Sequence, residues 1–493
     1  MSSAPTSGST TTTTEQGHKD AQQLERLGYN QELRRTMSTF SNFAATFSYI
    51  SVTTGIFALF AFGLGTGGPA FFWSWPIVFG GQLLVGLVFA ELVSHYPLAG
   101  SVFQWTKQVA NRDVAWMNGW VYLVAQVATI AAVDFTVPPV IASLLGLNAS
   151  DTHVLIAIAL VVLVLTTVVN IVGVRLLAII NNIGVLAELG GMLVLGLILV
   201  FHAHHGVSFL FNDGGTSVNG SYLGTFFAAM LMSLFVVYGF DTAGTLAEET
   251  HNPSRSAPRA LLMALLGSFL LGGLFLVGAI LSISSAPGAL TKIMADPNAL
   301  ETIIEQAAPG LSNVFFIIVS TAISVCGLTV QANAARLLYS MGRDGQIPFG
   351  KSLGRVSPTL GTPVVAIIVT AVLGAALIFA TQVEAVLVAV TVVLIYLAYA
   401  ICTASALVAR FRGWPREKSA FSLGGAGLII NLIAVIYQVA MIINLAWYRP
   451  TSGAPAYLNL ATFIFVPVIV VLGLLYYYGF QKRRSASAAA AAG

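Results

Sequence analysis

The stretch VVYGFDTAGTLAEE, residues Val236–Glu249, decides how this chain folds. It belongs to a mostly apolar run, 221–247, of the length a helix needs to cross a bilayer. Yet Gly239, Asp241, Thr242 and Gly244 interrupt it. An aspartate at membrane depth costs roughly 2.5–3.5 kcal/mol on insertion scales, so such acids are kept for a pathway or a site. The glycines weaken the helix around it. Non-helical backbone survives at that depth only where protein or a water-filled cavity satisfies it. Residues 239–244 therefore read as a break in a membrane-spanning helix, lining a binding site.

The rest of the chain agrees. Of its 493 residues, 57% are hydrophobic and only 8% charged, against about 25% charged in soluble domains. This is the composition of a polytopic membrane protein with a helical core. Twelve spans are expected, over 40–63, 71–94, 114–142, 153–173, 181–202, 221–247, 258–282, 310–335, 363–381, 384–409, 423–445 and 457–480. With the N-terminus in the cytoplasm, only Lys292 and Arg449 of the 22 Lys and Arg fall on the outside. That bias supports the span count and cytoplasmic termini, in a plasma-membrane protein. Residues 1–37 form a cytoplasmic segment, Ser/Thr-rich and disordered over 1–20, with a short surface helix over 21–37. The transmembrane domain runs over 38–480, and 481–493 is a cytoplasmic tail. Cys326 and Cys402 both lie in apolar segments, so no disulfide-linked subunit is expected. No cleavable signal sequence is visible. The outer loop 283–309 reads as a lid. The amphipathic stretch Tyr96–Asn111 either lies on the membrane surface or plugs the inner mouth.

Span 1 has a weak middle of its own: Ser48, Ser51, Thr53, Thr54 and Gly55. Spans 1 and 6 each open a unit of five spans, 40–202 and 221–409. Five is odd, so the two units enter the membrane from opposite sides. A broken helix at the head of each oppositely oriented unit is the pattern of an inverted-repeat secondary transporter. The expected fold is thus all-α and integral to the membrane: twelve transmembrane helices in a five-plus-five inverted repeat, with helices 1 and 6 broken and two further helices over 423–480. Either break alone is equally well read as small residues that let helices pack closely. Their matching positions favour the repeat.

Four stretches make the chain recognisable: LGYNQELRRTMSTFSNFAATFSYISVTTGIF (27–57), ELVSHYPLAGSVFQW (91–105), GFDTAGTLAEETHNPSRSAPRA (239–260) and ARLLYSMGRDGQIP (335–348). The chain resembles the amino acid–polyamine–organocation superfamily of permeases, especially the amino acid/choline branch with its GABA and choline permeases. The resemblance covers about residues 24–480. It implies the same five-plus-five fold, and a substrate whose backbone is held between the two breaks.

A broken helix frees N–H groups at the start of its second half and C=O groups at the end of its first. The amides near Thr53, Thr54 and Gly55 suit a carboxylate, and the carbonyls near Ile50, Ser51, Tyr238 and Gly239 suit an ammonium. Asp241, with Thr242 after it, adds a negative charge beside the ammonium end. The GFD-like sequence resembles that of the GABA and choline branch, which implies a solute with a prominent cationic group: a GABA-like ω-amino acid, a cationic amino acid or a small amine. The alternative is that Asp241 only caps the freed amides of the span's second half. Gln126 and Thr129 in span 3, and Tyr396 and Tyr399 in span 10, either wall the pocket or join helices by hydrogen bonds. Phe240 either closes over the solute or packs.

In similar permeases an NN-like start to span 5 is followed by a lysine that stands in for sodium; here Glu188 falls at that place. It either carries a proton or helps hold a cation together with Ser324. Proton coupling is the preferred reading, and sodium stays open. Glu248 and Glu249, facing Arg255, Arg259, Arg336 and Arg343, form either an inner gate or a solvated collar of charge. His202, His204 and His205 lack the ligand set of a closed zinc site, and Gly63–Gly68 lacks the context of a phosphate loop. No catalytic grouping, cofactor, metal or nucleic-acid partner is expected. The reading is a permease for a small amine-bearing solute, with solute exchange and a transporter-like nutrient sensor as the competing functions.

Overall fold

The structure, a computed structural model, describes residues 8–379, 384–447 and 460–482. Arg449, the first seven residues and the tail from 483 lie outside the described residues. The helices are α1 (Gly8–Arg26), α2 (Thr39–Ile50), α3 (Val52–Gly67), α4 (Ser74–His95), α5 (Ser101–Val109), α6 (Arg112–Thr136), α7 (Pro138–Leu144), α8 (Thr152–Val172), α9 (Val174–Phe201), α10 (Leu223–Ala229), α11 (Leu231–Val236), α12 (Thr242–Thr245), α13 (Pro253–Leu281), α14 (Ala289–Met294), α15 (Ala299–Ala307), α16 (Ser312–Arg343), α17 (Gly350–Leu353), α18 (Val364–Ile378), α19 (Glu384–Phe411), α20 (Gly427–Ala446) and α21 (Ala461–Tyr476). Among the described residues there is no strand. Among the described residues ten helical stretches are long and apolar enough to cross a membrane, from Thr39–Gly67 to Ala461–Gln481. Leu223–Val236 and Val364–Ile378 are shorter apolar helices, lying where the sixth and ninth spans were expected. Leu165 and Val168 on α8, and Ile429 and Ile436 on α20, face outward. An apolar exterior is what contact with lipid requires.

The first break lies at Ser51, between α2 and α3. Its φ of 34° and ψ of 82° put a non-glycine residue in the left-handed region, a conformation that favours glycine and costs roughly 1–2 kcal/mol elsewhere. The second break runs from Val237 to Asp241, with Gly239 at φ 85°. The half-helices pair crosswise: α2 packs on α12, and α3 on α11. The Asn42 amide donates to Ala243 O (3.1 Å) and to Thr250 Oγ1 (2.9 Å). At the other end, a Cβ at Gly55 would lie 2.5 Å from Val236 Cγ2. The two interrupted helices therefore run antiparallel with their breaks side by side. A Cβ at Gly239 would meet the Tyr49 ring at 1.8 Å, so only glycine allows this approach.

Two expectations for the N-terminal side change. Residues 8–20 were read as disordered, but they belong to α1, and 21–37 do not form one helix. The chain leaves α1 after Arg26, turns at Gly28 (φ 85°) and runs non-helically to Ser38. The reason is tertiary. Asp20 is buried, pairs with Arg35 at 2.8 Å and accepts from Asn252 N at 3.0 Å. Leu24 packs with Tyr29 and Leu98. A Ser/Thr-rich composition gives no hint of those partners. The amphipathic stretch around α5 does not lie on a surface either. Ser101, Phe103, Gln104, Trp105 and Thr106 are all buried, and a Cβ at Gly244 would lie 2.2 Å from the Trp105 ring. The helix sits directly beneath the second break. The outer loop 283–309 folds into α14 and α15, both packed on α3.

Candidate substrate site

Between the breaks lies a cavity of about 10 Å³, lined by Ser51, Thr54, Gly55, Thr129, Tyr238 and Cys326 among others. That is room for about one water molecule. Tyr49 and Tyr238 meet edge to face at 6.2 Å across it.

The backbone amides expected at the first break all have protein partners. Thr53 N donates to Glu188 Oε1 at 3.1 Å, and Ser51 Oγ donates to the same oxygen at 3.0 Å. Thr54 N reaches Ser51 Oγ at 3.4 Å, and Gly55 N reaches Ser51 O at 3.1 Å. Of the amides read as a cradle for a solute carboxylate, that of Thr53 holds the chain's own carboxylate, Glu188, which is buried on α9, and the other two turn back to Ser51. Ser324 does not join it; its hydroxyl donates to Ser320 O of its own helix at 2.7 Å.

At the second break Asp241 is fully buried. Its side chain makes no capping bond to α12, so the capping alternative does not describe this structure. Three hydroxyls reach the carboxylate instead. Tyr122 (2.7 Å) and Tyr399 (2.5 Å) donate to Oδ1, and Ser101 (2.6 Å) donates to Oδ2. The Gly239 amide donates to the Tyr399 hydroxyl at 2.9 Å, tying the break to α19. Asn333 Nδ2 donates to Thr242 Oγ1 at 3.2 Å. Ser101 has φ 34° and follows Gly100 at φ 96°; that turn brings α5 up to the acid.

The other expected wall residues divide. Gln126 accepts from Tyr49 OH at 2.6 Å, while its amide nitrogen is buried without a partner. Thr129 lines the cavity. Tyr396 is buried and does not line the cavity; Tyr399, one turn away, makes the contacts. Phe240 packs on Phe89 (5.8 Å) and Tyr399 (5.2 Å), which is the packing reading.

The expected gate residues come together in part. Arg336 and Glu249, both fully buried, pair through two contacts of 3.2 Å, Nε to Oε1 and Nη2 to Oε2. Glu248 pairs with Arg343 (2.8 and 3.0 Å) and accepts from Ala99 N at 2.9 Å. Of the arginines expected to face the two acids, Arg343 of α16 is the one on Glu248, while Arg255, at the start of α13, is exposed. Below them, Lys107 pairs with Asp344 at 2.6 Å, and Tyr29 donates to Asp344 at 2.9 Å.

Sequence reasoning missed Ser101, Tyr122 and Asn333, since a lone hydroxyl or amide in a membrane helix carries no signal until its partner is known. It also missed Asp134 in α6. That acid is buried, and one of its oxygens has no partner; it carried the same signal as Asp241.

A helical membrane protein with two helices broken side by side over a buried acid has the architecture of a permease. The family model of amino acid permeases matches residues 37–473, and the chain belongs to that family. It is similar to the amino-acid permease BAT1 of Arabidopsis thaliana, with 29% identity over 451 residues, 85% of this chain and 86% of the relative. The BAT1 homolog of Oryza sativa subsp. japonica is 28% identical over 68% of this chain and 69% of its own. Amino-acid permease 2 of Neurospora crassa is 24% identical over 96% and 90%. The protein is a transporter, not an enzyme.

Proposed function

We propose that this permease is a secondary active transporter that takes up an amino acid or related amine by alternating access about the paired breaks, coupled to protons. The observation that carries the reading is Asp241: a fully buried carboxylate at a helix break, held only by hydroxyl donors. Hydroxyls stabilise the charge without neutralising it, so it can exchange them for the ammonium of a solute. The relatives named as amino acid permeases support the solute class. Ten spans in two inverted units of five, with two further spans, accord with the ten long and two shorter apolar helices among the described residues and with the crosswise pairing of the half-helices. Cytoplasmic termini rest on the distribution of Lys and Arg, and a plasma-membrane location is the reading for a solute-uptake permease.

Glu188 is the coupling residue in this reading, because it is the acid bonded directly to the first break. The buried pairs Arg336–Glu249 and Arg343–Glu248 are the inner gate. The test is uptake into liposomes carrying the purified protein, driven by an imposed pH gradient, with a panel of α-amino acids, ω-amino acids and carboxylate-free amines. Accumulation against the solute's own gradient, abolished by a proton carrier, is expected. Binding without flux would make the protein a sensor instead. Flux that needs solute on both sides would make it an exchanger.

A further inference from the structure

We infer that the Glu188 carboxylate is a built-in stand-in for the substrate's carboxylate, and that a proton and the substrate displace it together. The inference rests on the reading of proton-coupled uptake, and it narrows the substrate to carboxylate-bearing amines.

The geometry comes first. The N-terminus of α3, a 16-residue helix, presents amides and a partial positive charge to whatever sits at the break. Glu188 occupies it, with Oε1 receiving both Thr53 N–H and Ser51 O–H. A solute carboxylate placed at this break would meet the same two donors. The cavity beside it is lined by Ser51, Thr54 and Gly55 of the same turn. The Thr53 side chain is buried on the same turn. Two carboxylates cannot share this terminus, because like charges at contact distance repel strongly in a medium that screens poorly.

Charge bookkeeping then gives the order of events. A proton from the outer water adds to the Glu188 carboxylate and makes it neutral. A neutral acid competes weakly for the Thr53 amide, since hydrogen bonds to ionised acceptors are roughly twice as strong. The substrate carboxylate replaces it, and the break again carries one negative charge. On the cytoplasmic side the substrate leaves, Glu188 releases its proton to water, and its carboxylate returns to Thr53 and Ser51. No bond other than O–H forms or breaks. One proton moves with each carboxylate because each vacates the position for the other.

The groups facing Glu188 leave it as the acid that titrates in this exchange. On α16 the titratable neighbour is Cys326, whose Sγ donates to Tyr49 O at 3.4 Å. Tyr49 on α2 is engaged with Gln126. Helix α3 carries no titratable or charged residue, and α8 only His153, at its outer end. The charged residues of α13, Arg255 and Arg259, lie in its first two turns. Beyond α16, Asp134 Oδ1 lies 3.1 Å from where a Cβ on Gly327 would be. Glu301 and Glu305 sit on α15 at the far end of α9.

The test uses matched probes on the purified full-length protein: γ-aminobutyrate against propylamine, and alanine against ethylamine. Each pair differs by one carboxylate, and all four keep their charges between about pH 5 and pH 8. In the wild type, affinity for the carboxylate-bearing member should fall about tenfold per pH unit once Glu188 ionises, the slope of one linked proton. The carboxylate-free member should show no such fall. Glu188→Gln should bind the carboxylate-bearing probe with no pH slope. Glu188→Leu, which offers Thr53 no acceptor, should do the same and covers the case in which glutamine fails to fold. Equal slopes within a pair, a slope kept in both variants, or carboxylate-bearing probes that bind at no pH would overturn the inference. Uptake measured in parallel separates the two claims. Gradient-driven uptake with no difference within a pair removes the stand-in and leaves proton coupling. A pH slope in binding with no gradient-driven uptake keeps the stand-in and removes coupled transport.

Discussion

Asp241 shows what one residue does here. Its carboxylate accepts three hydroxyl donors from α5, α6 and α19, so a single charge joins three helices and the break. Asp241→Asn keeps the volume but puts an amide donor where one hydroxyl now donates, and it removes the charge. Amine affinity should fall at least tenfold, about 1.4 kcal/mol, read from ligand-induced thermal stabilisation. An unchanged affinity would mean that the acid serves the three hydroxyls and not the solute. That an acid sat at this depth was plain in the sequence. Which of two roles it plays was not, because the Ser101, Tyr122 and Tyr399 hydroxyls come from residues 119 to 158 positions away.

At the scale of elements, the proposed inner gate is α16 against the short helical turns after the second break. Arg336 and Glu249 are both fully buried, and removing one partner of such a pair costs about 3–5 kcal/mol because the other charge is left unpaired. Arg336→Gln should therefore lower the melting temperature strongly, while Arg336→Gln with Glu249→Gln recovers most of the loss. A cysteine placed at Ala243 should label faster from the cytoplasmic side in the single variant. The α5 end of the gate adds a pH dependence. Burial pulls the Lys107 ammonium down, but the neighbouring Asp344 charge outweighs it, and its pKa ends above the ordinary 10.5. A raised lysine value stabilises fully below the ordinary value and stops doing so as pH climbs through the raised one. Stability should be level at neutral pH and fall above about pH 10.5. That fall should be smaller in Lys107→Met, as followed by thermal melts across alkaline buffers.

Across the whole molecule, the N-terminal segment joins the gate to the rest of the cytoplasmic face. Thr36 N and Met37 N both donate to Glu249 O at 2.9 Å. Gln31 reaches Glu248 O at 3.1 Å. Asp20 holds Arg35 and the Asn252 amide. Alternating access requires the inner side to open, and these contacts oppose that opening. Removing residues 1–28 should leave the fold intact, since the membrane core is built from α2 onward. It should shift the population toward the inward-open form, measured as faster cytoplasmic labelling of the same Ala243 cysteine. Labelling unchanged by the truncation would reduce the segment to a passive cover.

The sequence by itself determined that this is a helical membrane protein broken near Ser51 and around residues 239–241, although the second break runs over 237–241 and residues 242–245, expected to be broken, form a short helix. Apolar length, glycine and a buried acid act locally, and a helix cannot hide them. It also determined the charges at the inner mouth, because Lys and Arg are costly to move across a bilayer. What only the tertiary structure decided is which groups meet. Glu188 was legible as a membrane acid, but its place on the Thr53 amide was not, for 135 residues separate them. Arg343, not Arg255, pairs with Glu248 because α16 passes it in space. The polar N-terminal segment is ordered by Asp20 and Leu24 finding partners on other elements. Hydrogen bonds and ion pairs are short-ranged, so they depend on which helix faces come together, and that is settled by packing rather than by local sequence.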